Sequence, residues 1–204
     1  MGRSLTAYDK PFGFQPYGEL LRVQRYAVNT APVINVCVGD LVIAGGAVVS
    51  TPKGYLMDIL DDAVPDGRAA ILGSVVSVED ETGLPISYIA AARVGNGTIA
   101  GYIMVADHPD QIFIAQEDGT TNAIDLDEGS MNADVISVAL CAPNSSTYIG
   151  TQQIDSDTAA VTAALQVKLI GPHPDDIPAV DATPYCRWIC TINEHFYDGT
   201  IAGV

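Results

Sequence analysis

A mainly β fold is what this chain predicts: a compact β-barrel or β-sandwich with an extended N-terminal arm and one or two short helices. Three observations carry the prediction. Short apolar runs rich in Val and Ile follow one another through the middle of the chain. Turn-forming clusters such as Asp80-Glu81-Thr82-Gly83, Gly95-Asn96-Gly97 and Asp107-His108-Pro109-Asp110 separate them at roughly ten residues per strand, the rhythm of a barrel or sandwich. Helical periodicity is scarce.

Residues 1–25 set Pro11, Gly13, Pro16 and Gly18 among Tyr8, Phe12, Phe14 and Tyr17. The prolines and glycines prevent a continuous helix. The aromatics are too apolar for a free linker, so the segment reads as an extended arm whose rings pack on a surface. Residues 26–204 make the body. There, 33–38 is a short apolar run, Gly39-Asp40 punctuates it, and 41–44 and 47–50 follow before the turn Thr51-Pro52-Lys53-Gly54. Residues 71–79, dense in β-branched side chains, predict a strand. So do 86–92, 98–106 and 111–116, with Gly95-Asn96-Gly97 predicting a hairpin. Residues 125–133 predict a short helix or turn broken at Gly129. Residues 156–164 begin at a cap-like Ser156 or Asp157 and are alanine-rich, enough for one or two helical turns. Leu165, Val167 and Leu169 alternate with Gln166 and Lys168, as in a half-buried strand. Beyond a proline-rich loop, 171–184, Cys186, Trp188, Cys190 and Ile192 alternate with Arg187, Thr191 and Asn193. That predicts a last strand whose Trp face meets a core or an interface.

A chain of 204 residues can bury a core without staples. Its 48% hydrophobic and 17% charged content argues against disorder. Asp and Glu number 25 against 9 Lys and Arg, a formal net charge of −16. That balance argues against direct contact with nucleic acid or an anionic membrane, because both need basic patches. The acidity is uneven. Arg3, Lys10, Arg22 and Arg25 face only Asp9 and Glu19 within the first 25 residues. A mildly cationic arm thus leads an anionic body and is suited to an acidic surface. No secretory leader is read at the start. The longest apolar stretch, 41–49, is interrupted by Gly45 and Gly46 and falls far short of the roughly 20 residues a membrane helix needs. Folding in a cytoplasm is expected. The cysteines agree: Cys37 and Cys141 stand alone. Cys186 and Cys190, on one strand face, sit about 13 Å apart at the rise of a β-strand, beyond a disulfide or a shared tetrahedral zinc. Four buried, reduced cysteines are expected.

Reactive constellations are hard to find. His108-Pro109-Asp110 and His173-Pro174-Asp175 read as tight turns. The acidic clusters at 58–62, 125–128 and 175–176 lack the calcium-loop pattern with its central Gly and distal Glu. There is no Gly-x-Ser-x-Gly elbow and no His-Glu-x-x-His motif. The glycine pairs lack the strand–glycine–helix setting of phosphate sites. No catalytic residue, metal or cofactor is therefore expected.

The chain has two distinctive ends: Pro11-Phe12-Gly13-Phe14-Gln15-Pro16, and Arg187-Trp188-Ile189-Cys190-Thr191-Ile192-Asn193-Glu194-His195. Between them stand Gly39-Asp40-Leu41-Val42, Ile71-Leu72-Gly73-Ser74-Val75, Asp157-Thr158-Ala159-Ala160 and the run Leu165 to Pro172. In this order the segments resemble tailed-bacteriophage proteins that decorate, or cement, the capsid shell. The resemblance implies a virion protein on the capsid exterior, partnered with the major capsid protein and with its own copies as a trimer. It implies an arm laid over neighbouring capsid subunits, with contact through Phe12, Phe14, Tyr17 and Arg22. Trp188 is expected in the core. Two other classes are weighed: a head-fibre or tail-associated virion protein, and an enzyme on a β scaffold.

Overall fold

The computed structural model describes residues 11–29, 32, 35–48, 55–59, 70–95, 97, 99–119, 123–125, 130–137, 148–161, 165–176 and 184–198, with the backbone alone for 44–48, 55–59 and 137. The chain is mainly β, as its patterning predicts. The strands are β1 (Gln15–Pro16), β2 (Val23–Asn29), β3 (Val36–Cys37), β4 (Leu41–Val48), β5 (Tyr55–Ile59), β6 (Ile71–Asp80) and β7 (Tyr88–Ile89). They continue with β8 (Ile99–Ala106), β9 (Ile112–Gln116), β10 (Asn132–Ala133), β11 (Val135–Ser137), β12 (Gln152–Ile154), β13 (Val167–Pro172) and β14 (Arg187–Ile192).

Two bodies of strands stack on each other. In the order β2-β5-β4-β6-β8 the strands curl into a barrel that β2 closes by pairing with β8. All its pairings are antiparallel except β2 with β5. A five-stranded antiparallel sheet runs β1-β9-β14-β13-β10. The two-stranded pairs β3-β7 and β11-β12 complete the set. Alternation along the strands sorts the side chains. Tyr26, Val28, Val42, Leu72, Val75, Val78, Ile103 and Val105 fill the barrel. Phe113, Ala115, Val167, Leu169, Trp188, Cys190 and Ile192 form the inner face of the sheet, packed on Leu41, Ile71 and Ala106 of the barrel. Trp188 is fully buried, so the Trp face of the last strand is core.

Several expectations need correction. The stretch 41–44 and residues 47–48 of the second stretch meet in one strand, β4, because its pairing with β5 carries on past Gly45 through an irregularity in register instead of stopping at the glycines; residues 49–50 lie outside the described residues. The Asn-Gly signal does not make a hairpin between β7 and β8. Strand β8 is taken on both edges by β2 and β6, and β7 pairs with β3. Residues 132–133 form strand β10 where a helix or turn is expected. The one helical element among the described residues is a single 3-10 turn, Ser156–Thr158, capped by the Asp155 carboxylate, which accepts the Asp157 N–H. The cysteine expectation also fails in part: Cys186 and Cys190 are free and buried, but Cys37 is disulfide-bonded. Its partner lies outside the described residues. Compartment cannot then be argued from four reduced thiols. The turn expected at 51–54, and most of the acidic clusters at 58–62 and 125–128, also lie outside the described residues.

The arm is bound down from residue 11 onward. Phe14 sits in the inter-body core with 0% exposure. Its N–H donates to the Gly39 carbonyl at 2.7 Å, and its own carbonyl accepts the Ser74 hydroxyl. Gln15 and Pro16 extend the sheet beside Ile114 and Phe113, and the chain enters the barrel at Val23, three positions before the expected start of the body. The Gly39-Asp40 turn receives this arm. Gly13 and Gly39 both have positive φ, +69° and +94°. A Cβ on Gly13 would lie 2.4 Å from the Gly39 carbonyl oxygen, so the two backbones touch where no side chain fits.

Gly13→Ala should therefore cost at least about 2 kcal/mol of unfolding free energy in urea titrations, since left-handed strain and a backbone clash add. Gly18→Ala is the control: its φ is +78° but nothing lies within 4 Å of its Cβ position, so about 1 kcal/mol is expected. Phe14→Ala should cost about 3–5 kcal/mol by leaving a cavity between the bodies.

Candidate functional site

Four residues are candidates for contact, and the structure separates them. Phe14 is core. Phe12 is half-buried, and its carbonyl accepts the Gln15 amide at 2.9 Å. Tyr17 is half-buried, its ring edge-on to His173 at 5.8 Å between centroids. Arg22 turns inward. Its Nε donates to Asp107 Oδ1 at 2.7 Å and its Nη2 to the Asp107 carbonyl at 2.6 Å. The arm thus turns its best contact groups onto its own body.

Asp107, just past β8, is fully buried and is the centre of a polar cluster. Besides Arg22, its carboxylate accepts the Tyr26 hydroxyl. Tyr26 in turn meets the Tyr197 hydroxyl at 3.1 Å, and the Arg22 guanidinium lies 5.1 Å from the Tyr197 ring centroid. Burial first, then the bond to Asp107, pushes the Tyr26 phenol far up, so it stays a donor. His195 lies next to Tyr197, and its Nδ1 accepts the Tyr197 N–H at 3.0 Å, leaving its ring proton on Nε2. Burial pulls the His195 pKa down and keeps the ring neutral. The Nε2 proton and the Trp188 indole N–H are buried without a closed hydrogen bond. They lie near the Leu72 backbone and Glu117 respectively.

Two more buried carboxyls serve as backbone acceptors. Asp40 Oδ2 accepts the Cys37 N–H at 2.6 Å and fixes the turn that receives the arm. Burial raises its pKa to about 7 against the opposing pull of that bond. Glu117 accepts the Ile124 N–H at 2.7 Å and the Cys186 N–H at 3.0 Å, and burial raises it to about 7 as well. These groups take the place of missing strand partners: they satisfy amides where the ladder stops. Both His-Pro-Asp tripeptides are turns, as expected. In each, the histidine Nδ1 accepts the N–H of the aspartate two residues on, at 3.1 Å for His108 and 3.3 Å for His173. Among the described residues no group of three or more His, Cys, Asp or Glu is placed to hold a metal. Of the acidic clusters considered for calcium, Asp176 is engaged by Arg187 at 2.8 Å.

The exposed surface offers a different kind of site. The outer face of the five-stranded sheet shows Ile112 and Ile170, and Leu20 and Leu21 of the arm are exposed as well. Leu21 is held there by its N–H to the Gln111 side chain, 3.0 Å. A groove of about 360 Å³ runs over this face between Ile112, Ile170 and Thr191, with Asp110 and Asp198 on its walls. A second apolar patch stands on the barrel's connections: Leu84 is 64% exposed and Val94 74%. The turn carrying Leu84 is braced by Asp80 Oδ1, which accepts from the Thr82 N–H and hydroxyl and from the Leu84 N–H. An Arg93–Glu81 ion pair at 2.6 Å links the turns that carry the two side chains. Exposed apolar groups on pre-organised turns mark contact surfaces rather than reaction centres. Pattern reading misses both patches because Ile112, Ile170, Leu84 and Val94 look like ordinary strand or turn neighbours until the pairing is known.

Arg22→Ala should cost about 3 kcal/mol in chemical denaturation, because it strips a fully buried carboxylate of its cation. Arg25→Ala, which breaks a surface pair with Glu79 at 2.7 Å, should cost under about 1 kcal/mol. A pH series adds a signed test. Asp40 and Glu117 bind protons more tightly folded than unfolded, so their contribution is full below about pH 4 and fades as pH rises through 7; His195 acts in the opposite sense. Asp40→Asn should flatten the fall in stability between about pH 5 and pH 8 by roughly 2–3 kcal/mol relative to the unsubstituted chain.

No family model, curated protein or solved structure matches the chain.

Proposed function

We propose that this chain is a capsid decoration protein: it binds the outside of a tailed-phage head and stabilises the shell by bridging major capsid protein subunits, as an assembly of several copies. The work is adhesion, with no bond made or broken. One observation carries the reading. The molecule presents two exposed apolar patches on different strand systems, the sheet face at Ile112 and Ile170 and the barrel turns at Leu84 and Val94. A bridging protein needs two contact surfaces held at a fixed separation, and a stacked barrel and sheet can hold them so. The ordered sequence resemblance supports the reading independently. Its two end segments meet in one sheet, where β1 and β14 flank β9.

The physics of cementing follows from linkage. A protein that binds only the expanded lattice shifts the equilibrium toward that lattice. Several weak footprints on linked copies give avidity that one footprint cannot. The strong negative charge keeps unbound copies apart in solution. The shell contact is assigned to Leu84 and Val94, which the Asp80 turn and the Arg93–Glu81 pair hold in place. The arm's role changes accordingly. From residue 11 on it anchors the fold, and its first ten residues lie outside the described structure.

Co-sedimentation with expanded and unexpanded heads tests this. The protein should pellet with expanded heads in hundreds of copies per particle and bind unexpanded heads weakly. Leu84→Glu with Val94→Glu should weaken head binding at least tenfold and leave thermal stability within error. A handful of copies located at the tail, or no binding to either form, would refute the reading.

A further inference from the structure

We infer that the outer face of the five-stranded sheet docks a second copy of this chain through a two-fold contact. This goes beyond attachment to a shell: the sheet face is taken by a second copy, and shell contact stays with Leu84 and Val94.

The described residues include five basic side chains in a chain of net charge −16. Arg22, Arg25, Arg93 and Arg187 are each paired with a carboxylate of the same chain. Lys168 has no such partner among the described residues, although it is exposed and acids abound. It stands on the solvent side of β13, and register fixes its neighbours. Lys168 lies opposite Thr191 on β14, and Thr191 lies opposite Ile112 on β9. At just under 5 Å per strand, Lys168 and Ile112 are about 10 Å apart across the face. Ile170 follows on β13, half exposed at 51%. Across the sheet past Ile112 runs the arm, with the Tyr17 N–H on the Ile112 carbonyl, while the exposed carboxylates Asp110, two residues before Ile112, and Asp198 line the groove beside Ile112 and Thr191.

The face therefore carries its cation on β13 and its anions diagonally across from it, ahead of β9 and beyond β14, with the uncharged Thr191 and Ile112 between them. A pattern with opposite charges at its two ends and a neutral centre complements itself under a two-fold rotation. Lys168 of each copy comes over Asp110 and Asp198 of the other, and Ile112 and Thr191 meet their equivalents between. This arrangement also addresses the net charge. Two strongly acidic molecules repel over most approaches, and on this face an unpaired cation and an uncharged floor meet an approaching copy. A capsid surface or an unrelated protein would have no built-in reason to place an anion and a cation at this separation; a second copy places both.

Sedimentation velocity on the full chain tests the contact. The expected species is a dimer that dissociates on dilution. Lys168→Glu alone should weaken it at least tenfold, by setting a carboxylate against Asp110 and Asp198 where the native chain sets an ammonium. The double variant Asp110→Lys, Asp198→Lys should weaken it similarly. Mixed in equal amounts, the two variants should form a heterodimer of near wild-type affinity, because each then carries the other's complement. Ile112→Asp should abolish pairing. All four positions are exposed, so circular dichroism melting should stay unchanged and exclude misfolding. A monomer at tens of micromolar, a trimer indifferent to these changes, or no recovery on mixing would overturn the inference. Head binding by Lys168→Glu separates the two proposals: monomers that still pellet with heads leave shell attachment standing while the paired state is lost.

Discussion

Three chain segments converge on the Gly39-Asp40 turn, and their registry to one another is set there. The arm donates the Phe14 amide to the Gly39 carbonyl; β6 brackets the turn, with the Gly39 N–H going to Val75 and the Val75 N–H to the Asp40 carbonyl. The segment leading into β12 closes the other side, with the Gly150 N–H to the Val38 carbonyl at 2.7 Å. A Cβ on Gly150 would sit 2.5 Å from Asp40 Oδ1, so that segment approaches as closely as backbone can. Around a point this crowded, an inserted atom has nowhere to go. Barrel, sheet and arm are tied together through this one turn, and loosening it would release all three.

Such a turn leaves amides without strand partners, and the molecule satisfies them with buried side chains. Asp40 takes the Cys37 amide, Gln152 takes Leu41, Glu117 takes Ile124 and Cys186, and Asp118 takes Ser156. Each acceptor is almost wholly removed from water. Desolvation then works against their ionisation, which is why Asp40 and Glu117 sit near neutrality and not in the usual carboxylate range. Perturbed acids of this kind often mark reaction centres. Here each is directed at a backbone N–H, and their perturbation is the consequence of holding irregular backbone in a dry interior.

Internal satisfaction governs the chain ends as well. Arg22 in the arm bonds the buried Asp107, and Tyr197 packs against the same guanidinium and reaches Asp107 through the Tyr26 hydroxyl. Aromatic and cationic residues in an arm suggest adhesion to something else, and among the described residues of this arm Phe14, Tyr17 and Arg22 are engaged internally. What stays available outside is plainer: isoleucines and leucines on a sheet face, two apolar side chains on braced turns, and, among the described residues, one unpaired lysine. The proposals for shell attachment and self-association rest on those groups.

A β protein with a buried tryptophan strand is legible from residue order alone. Alternation at Cys186, Trp188, Cys190 and Ile192 needs no knowledge of partners, because period-two burial is a property of one strand against any core. The turns at both His-Pro-Asp sites are equally local, set by proline and a histidine reaching two residues along. Pairing is not local. Nothing in residues 95–97 says that β8 is already flanked by β2 and β6, and nothing in the entry segment says that Phe14 points into the body and not out of it. The ion pair of Arg22 with Asp107 likewise joins residues far apart in the chain. Contacts of that kind depend on which surfaces meet after the chain has folded back on itself, so they emerge with the packing of barrel against sheet and not before.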